Sequence, residues 1–94
     1  MKYIISESRL DTIMKKYLDS FLLDKNVVDN KRVIAVYSDE EDYLQYFPRK
    51  GELFISDSFL EEFEFMFGLT RKESFRFIVD WFENEFHVKV QMAG

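Results

Sequence analysis

The chain has 94 residues, 47% of them hydrophobic and 33% charged, with a net charge of −5. That length holds a single domain, residues 1–94, and the globular balance argues against a disordered chain. Cysteine is absent, which excludes disulfides, thiolate catalysis and thiolate zinc sites and suits a reducing compartment such as the cytoplasm.

With 11 Phe, 5 Tyr and 1 Trp, the chain can fill a core without covalent staples, since each buried ring removes roughly 150–250 Å² from water. The opening Met1-Lys2-Tyr3-Ile4-Ile5-Ser6-Glu7 has too brief an apolar run for a secretory signal, and no stretch approaches the ~18 apolar residues of a membrane span. The acidic balance disfavours binding to a phosphate backbone. The basic pairs Lys15-Lys16, Lys31-Arg32, Arg49-Lys50 and Arg71-Lys72 are scattered along the chain, so nucleic acid is not the expected partner.

Residues 2–5 predict a short strand, and Ser6 an N-cap with Glu7 in the first turn. Leu10, Ile13, Met14, Tyr17, Leu18 and Phe21 then recur at helical spacing and predict an amphipathic helix to about residue 22. Asp24 to Asn30 is polar and reads as a loop. Lys31 to Tyr37 is apolar on both faces and predicts a central, covered strand. After the acidic turn Ser38–Asp42, a strand is expected over Tyr43–Phe47. The turn Pro48–Gly51 follows, then a strand over Glu52–Ser56, making an antiparallel meander.

Asp57 is the expected cap of a second helix with Phe59, Leu60, Phe63, Met66 and Phe67 on one face. Gly68 is placed to end it, followed by the apolar Leu69. Thr70-Arg71-Lys72-Glu73 matches a capping box for a third helix running to about Phe86. His87 to Met92 alternates and predicts a last strand. The fold class is therefore α+β, an antiparallel sheet of four to five strands packed by about three helices in the order β-α-β-β-β-α-α-β.

The third helix carries more aromatics than one face needs. Phe75, Ile78, Val79, Phe82 and Phe86 make the core face, leaving Phe77 and Trp81 four residues apart and directed away from it. Phe65 is a similar outlier on the second helix. Two readings stand for these rings. Another element, such as the first helix, covers them, or they contact a partner, which makes Phe77, Trp81 and Phe65 the candidate partner-binding residues.

Little else carries chemistry. His87 is the single histidine, so any triad or imidazole-rich metal site would rest on it alone; at a helix-to-strand junction it reads as structural. Three glycines leave no room for a phosphate-binding loop. Asp39-Glu40-Glu41-Asp42 lacks the alternating ligand spacing and turn glycine of a calcium loop and reads as a solvated hairpin tip. Glu61, Glu62 and Glu64 could supply paired carboxylates for acid–base work, but their spacing between apolar positions reads as the wet face of a helix. No catalytic residue, metal or cofactor is expected.

Two stretches carry a resemblance. Lys2-Tyr3-Ile4-Ile5-Ser6-Glu7-Ser8, leading directly into a helix, resembles the starts of many small proteins of unassigned function encoded by tailed phages, especially in marine viral metagenomes. Phe63-Glu64-Phe65-Met66-Phe67-Gly68-Leu69, then Trp81-Phe82-Glu83-Asn84-Glu85 and Val88-Lys89-Val90, is similar to their ends, in the same order. The resemblance covers about a third of the chain and implies an origin, a phage accessory protein made in a bacterial cytoplasm; it brings no site residues with it.

The expected function is a non-catalytic interaction protein that binds itself or another protein through the aromatic helix face. The alternatives are a virion structural component and a small ligand-binding or enzyme domain using carboxylates near His87.

Overall fold

A computed structural model describes residues 7–93, with side chains from Arg9 onward. The strand expected over residues 2–5 and the Ser6 cap lie outside these residues. The fold is α+β, with three helices and a five-stranded, mostly antiparallel sheet.

Helix α1 (Glu7–Leu22) buries Met14, Leu18 and Leu22 in one stripe, with Leu10, Tyr17 and Phe21 packed beside them. Ile13 falls at the edge of that stripe and is exposed. The segment read as a loop is instead strand β1 (Asn26–Asp29), paired antiparallel with β2 (Ile34–Tyr37) in the register Val27↔Val36. Strand β1 is an edge strand, exposed at three of its four positions. Backbone pairing therefore defines it, where an apolar pattern does not. The connecting turn is closed by Asn30, whose Oδ1 accepts from the backbone N–H groups of Arg32 (2.8 Å) and Val33 (3.0 Å).

Strands β3 (Asp42–Phe47) and β4 (Glu52–Ile55) complete the meander, giving the order β1-β2-β3-β4-β5. An irregularity at Val36/Tyr37 leaves Tyr43 as an extra residue opposite β2. Its partly buried ring packs on Phe21 and Phe59, although its neighbour Leu44 is the buried residue of the pair. Ile34, Val36, Leu44, Tyr46, Leu53 and Ile55 form the covered face. The expectation that β2 is covered on both faces does not hold, since only Ile34 and Val36 are buried and Ala35 and Tyr37 are partly open.

Helix α2 (Asp57–Phe67) is capped by Ser56, whose Oγ accepts from the Phe59 N–H, and not by Asp57, which occupies the first helical turn. Gly68 ends it in the left-handed conformation (φ 63°), and the Leu69 N–H returns to the Glu64 carbonyl at 3.1 Å. Helix α3 (Arg71–Phe86) opens with the expected capping box: Thr70 Oγ1 accepts from the Glu73 N–H and Glu73 Oε1 from the Thr70 N–H. That second bond holds the Glu73 carboxyl below its ordinary pKa.

The expected strand His87–Met92 shrinks to β5 (Met92–Ala93), parallel to β4. The chain before it spends its backbone groups elsewhere. His87 takes the left-handed C-cap position (φ 54°), the Val90 N–H donates to Glu83 Oε2, and the Lys89 carbonyl accepts from the Tyr46 hydroxyl. The Gln91 and Met92 N–H groups both donate to the Gly51 carbonyl. Parallel pairing of β4 with β5 is possible because α2 and α3 form the crossover between them.

Candidate interaction surfaces

Trp81 is not displayed to solvent. It is 5% exposed, and its Nε1–H donates to Asp19 Oδ1 of α1 at 2.9 Å. This is the reading in which the first helix covers the surplus ring. The buried arc of α3 is turned toward Ser74 and Trp81, because α3 packs against α1 as well as against α2 and the sheet. The Trp81 bond is the main cause that holds the Asp19 carboxyl below its ordinary pKa; burial, next in size, opposes it, and the hydrogen bond and charge of Lys15 (3.1 Å) add to the lowering.

Phe77 is half-buried, stacked near-parallel on Phe63 with centroids 6.1 Å apart. One edge of it lines a shallow cleft between α1 and α3, with Asp11, Lys15 and Asp80 among its neighbours. Phe65 alone stands free, at 92% exposure, with Met66 half exposed beside it on α2. The three aromatic candidates therefore do not share a surface: two lie at the α1–α3 seam and the third is on α2.

A second surface was hidden in the sequence. The uncovered face of the sheet carries Phe47 on β3 and Phe54 on β4, 37% and 43% exposed. Gln45 pairs with Phe54, so Phe47 is its diagonal neighbour, and the rings meet edge to face at 5.9 Å. In a meander the β1–β2 and β3–β4 turns leave from the same end of the sheet. Lys31-Arg32 of the first turn and Arg49-Lys50 of the second thereby line one open groove of about 1000 Å³ with these two rings. Glu52 is the single carboxylate in the lining. None of the four cations is ion-paired with a described residue. Two of the four basic pairs expected to be scattered are thus one patch.

The remaining candidates have structural partners. Glu41, in the acidic turn, accepts from the hydroxyls of Ser56 and Ser58 and so ties the β2–β3 turn to the start of α2. Arg71 bridges Asp57 (2.5 Å) and Glu64 (3.7 Å), fastening the start of α3 to α2. Burial, then the charges of Glu62 and Tyr43, raises the Tyr17 phenol pKa. His87 is exposed at the end of α3, and its imidazole meets no carboxylate among the described residues. Among the described residues no group of three or more His, Cys, Asp or Glu is placed to hold a metal, and no helix is long and apolar enough to cross a membrane.

The chain matches no protein-family model, no curated protein and no solved structure.

Proposed function

We propose that this chain is a non-catalytic binding module that engages an anionic partner through the uncovered face of its sheet. The observation that carries the reading is the pair of half-open rings, Phe47 and Phe54, set among Lys31, Arg32, Arg49 and Lys50 on an otherwise acidic protein. Half-open rings on a flat face, flanked by cations that are ion-paired with no described residue, supply apolar area and charge together. The resemblance to small tailed-phage proteins supports an accessory role in the host cytoplasm.

The test is retention on immobilised heparin at low salt. A protein of net charge −5 with evenly spread cations flows through, whereas a concentrated patch holds it. Retention that falls in Lys31→Ala and Arg49→Ala, and not in Lys16→Ala, supports the module; flow-through of the unaltered protein refutes it.

Phe65 favours a second reading, a protein–protein contact on α2 with another copy or a virion component. Light scattering after size exclusion checks its self-association form: a dimer that dissociates in Phe65→Ser supports it, and a strict monomer at all concentrations removes it.

A further inference from the structure

The acidic net charge and the basic groove act over different distances. At physiological salt, exposed charges separated by more than about 8 Å are largely screened from one another. A ligand seated between Lys31, Arg32, Arg49 and Lys50 therefore responds first to those four cations and to Glu52, whatever the sum over the rest of the surface. Charge complementarity selects an anion that runs past both turns.

The rings narrow the choice further. A purely acidic peptide uses the cations and leaves Phe47 and Phe54 in water. A duplex presents phosphates but keeps its bases stacked inside, where the rings cannot reach them. A single strand uses both features, with phosphates on the turn cations and unstacked bases on the ring faces. Open sheets can bind single-stranded RNA in this manner, with rings stacking two or three bases. Phe47 and Phe54 occupy such positions, on adjacent strands of a face that no helix covers.

We infer that the groove between the β1–β2 and β3–β4 turns binds a short single-stranded segment of nucleic acid, its bases on Phe47 and Phe54 and its phosphates on Lys31, Arg32, Arg49 and Lys50. This rests on the binding-module reading and adds the ligand class. The contact spans about two or three nucleotides, so affinity is modest and strongly dependent on salt. With up to four phosphates neutralised, the logarithmic salt slope approaches about −3, which is roughly a 50-fold loss between 50 and 200 mM salt.

Fluorescence anisotropy with labelled ten-nucleotide oligo-dT and oligo-U tests this, with a ten-base-pair duplex and a labelled ten-residue oligo-glutamate peptide as the other arms. The expected result is tighter binding of a single strand than of the duplex or the peptide. Phe54→Leu keeps an apolar side chain without a π-face and weakens binding about 5- to 150-fold, while Phe54→Trp restores it. Lys31→Ala and Arg49→Ala each reduce the salt slope by about 0.7, and Lys16→Ala leaves it unchanged. Thermal melts confirm that each variant is folded. Binding of the duplex as tightly as the single strand, or binding unaffected by Phe54→Leu, overturns the inference, as does absence of binding to both oligonucleotides at 50 mM salt. Should heparin still retain the protein in that last case, the binding module stands and its ligand is a different anion. Preference for the oligo-glutamate peptide reassigns the groove to acidic protein segments.

Discussion

Replacing Asp19 tests how much the hydrogen bond from Trp81 adds to the packing of α1 against α3. Asp19→Ala removes the acceptor 2.9 Å from the indole N–H and leaves that donor in a residue only 5% exposed. A hydrogen bond to a charged group contributes about 1.5–3 kcal/mol. The Asp19 side chain is 34% exposed, so water can replace part of it and the lower end applies, about 1.5–2 kcal/mol. For a domain of this size that lowers Tm by about 6–16 °C.

The assay is thermal and urea unfolding followed by circular dichroism, which reads every member of the cycle below, since Trp81 is the only tryptophan and a Trp81→Phe variant has none. The control is a double-mutant cycle. In a Trp81→Phe background the donor is gone, and Asp19→Ala should then cost only about 0.5 kcal/mol, the value of the exposed Lys15 pair.

The sign of the pH dependence follows from the lowered pKa of Asp19, whose ordinary value is 3.8. A carboxyl with a lower pKa in the folded state binds fewer protons there than when unfolded. Its stabilisation is therefore full above the ordinary value and is lost as pH falls through the folded one. The stability gap between the wild type and Asp19→Asn should thus be constant near neutrality and close below about pH 4. An equal cost of Asp19→Ala in both backgrounds, or a gap that does not narrow in acid, refutes the reasoning.

Three further perturbations separate packing from backbone effects. Gly51→Ala and Gly68→Ala each force a side chain into the left-handed region, costing about 1–2 kcal/mol. Only at Gly51 does the new Cβ also meet Gln91, 2.5 Å from its Cγ, so amide hydrogen exchange should speed up at Gln91 and Met92 in that variant alone. Ser74→Ala removes a fully buried hydroxyl that has no hydrogen-bond partner among the described residues, and should raise stability by up to about 1 kcal/mol in urea unfolding. Phe63→Ala should cost about 3–5 kcal/mol, whereas Phe65→Ala, two residues away and almost wholly exposed, should stay within about 0.5 kcal/mol.

The elements readable along the chain are those whose signals are local. Met14 and Leu18 of the first helix, the Gly68 stop and the Thr70–Glu73 capping box need only neighbours within a turn or two, and each is where spacing and capping chemistry place it. The same locality explains the errors. Strand β1 is short and mostly exposed because it lies at an edge, with Val27 and Val28 set between Asn26 and Asp29, so its pairing with β2 reveals it. The last strand is short because residues 88–91 bond to Glu83, Tyr46 and Gly51, partners between 5 and 43 positions away.

The candidate sites divide in the same way. Sequence spacing identified the surplus rings of α2 and α3, but a helix has several faces, and its periodicity does not say how many neighbours surround it. Only the position of α1 decided that Trp81 is covered, while Phe65, on a face with no neighbour, stays open. The basic groove was beyond reach for a related reason. Lys31-Arg32 and Arg49-Lys50 are far apart in the chain and meet because two hairpin turns share one end of a sheet, a parity that cannot be counted while β1 is read as a loop.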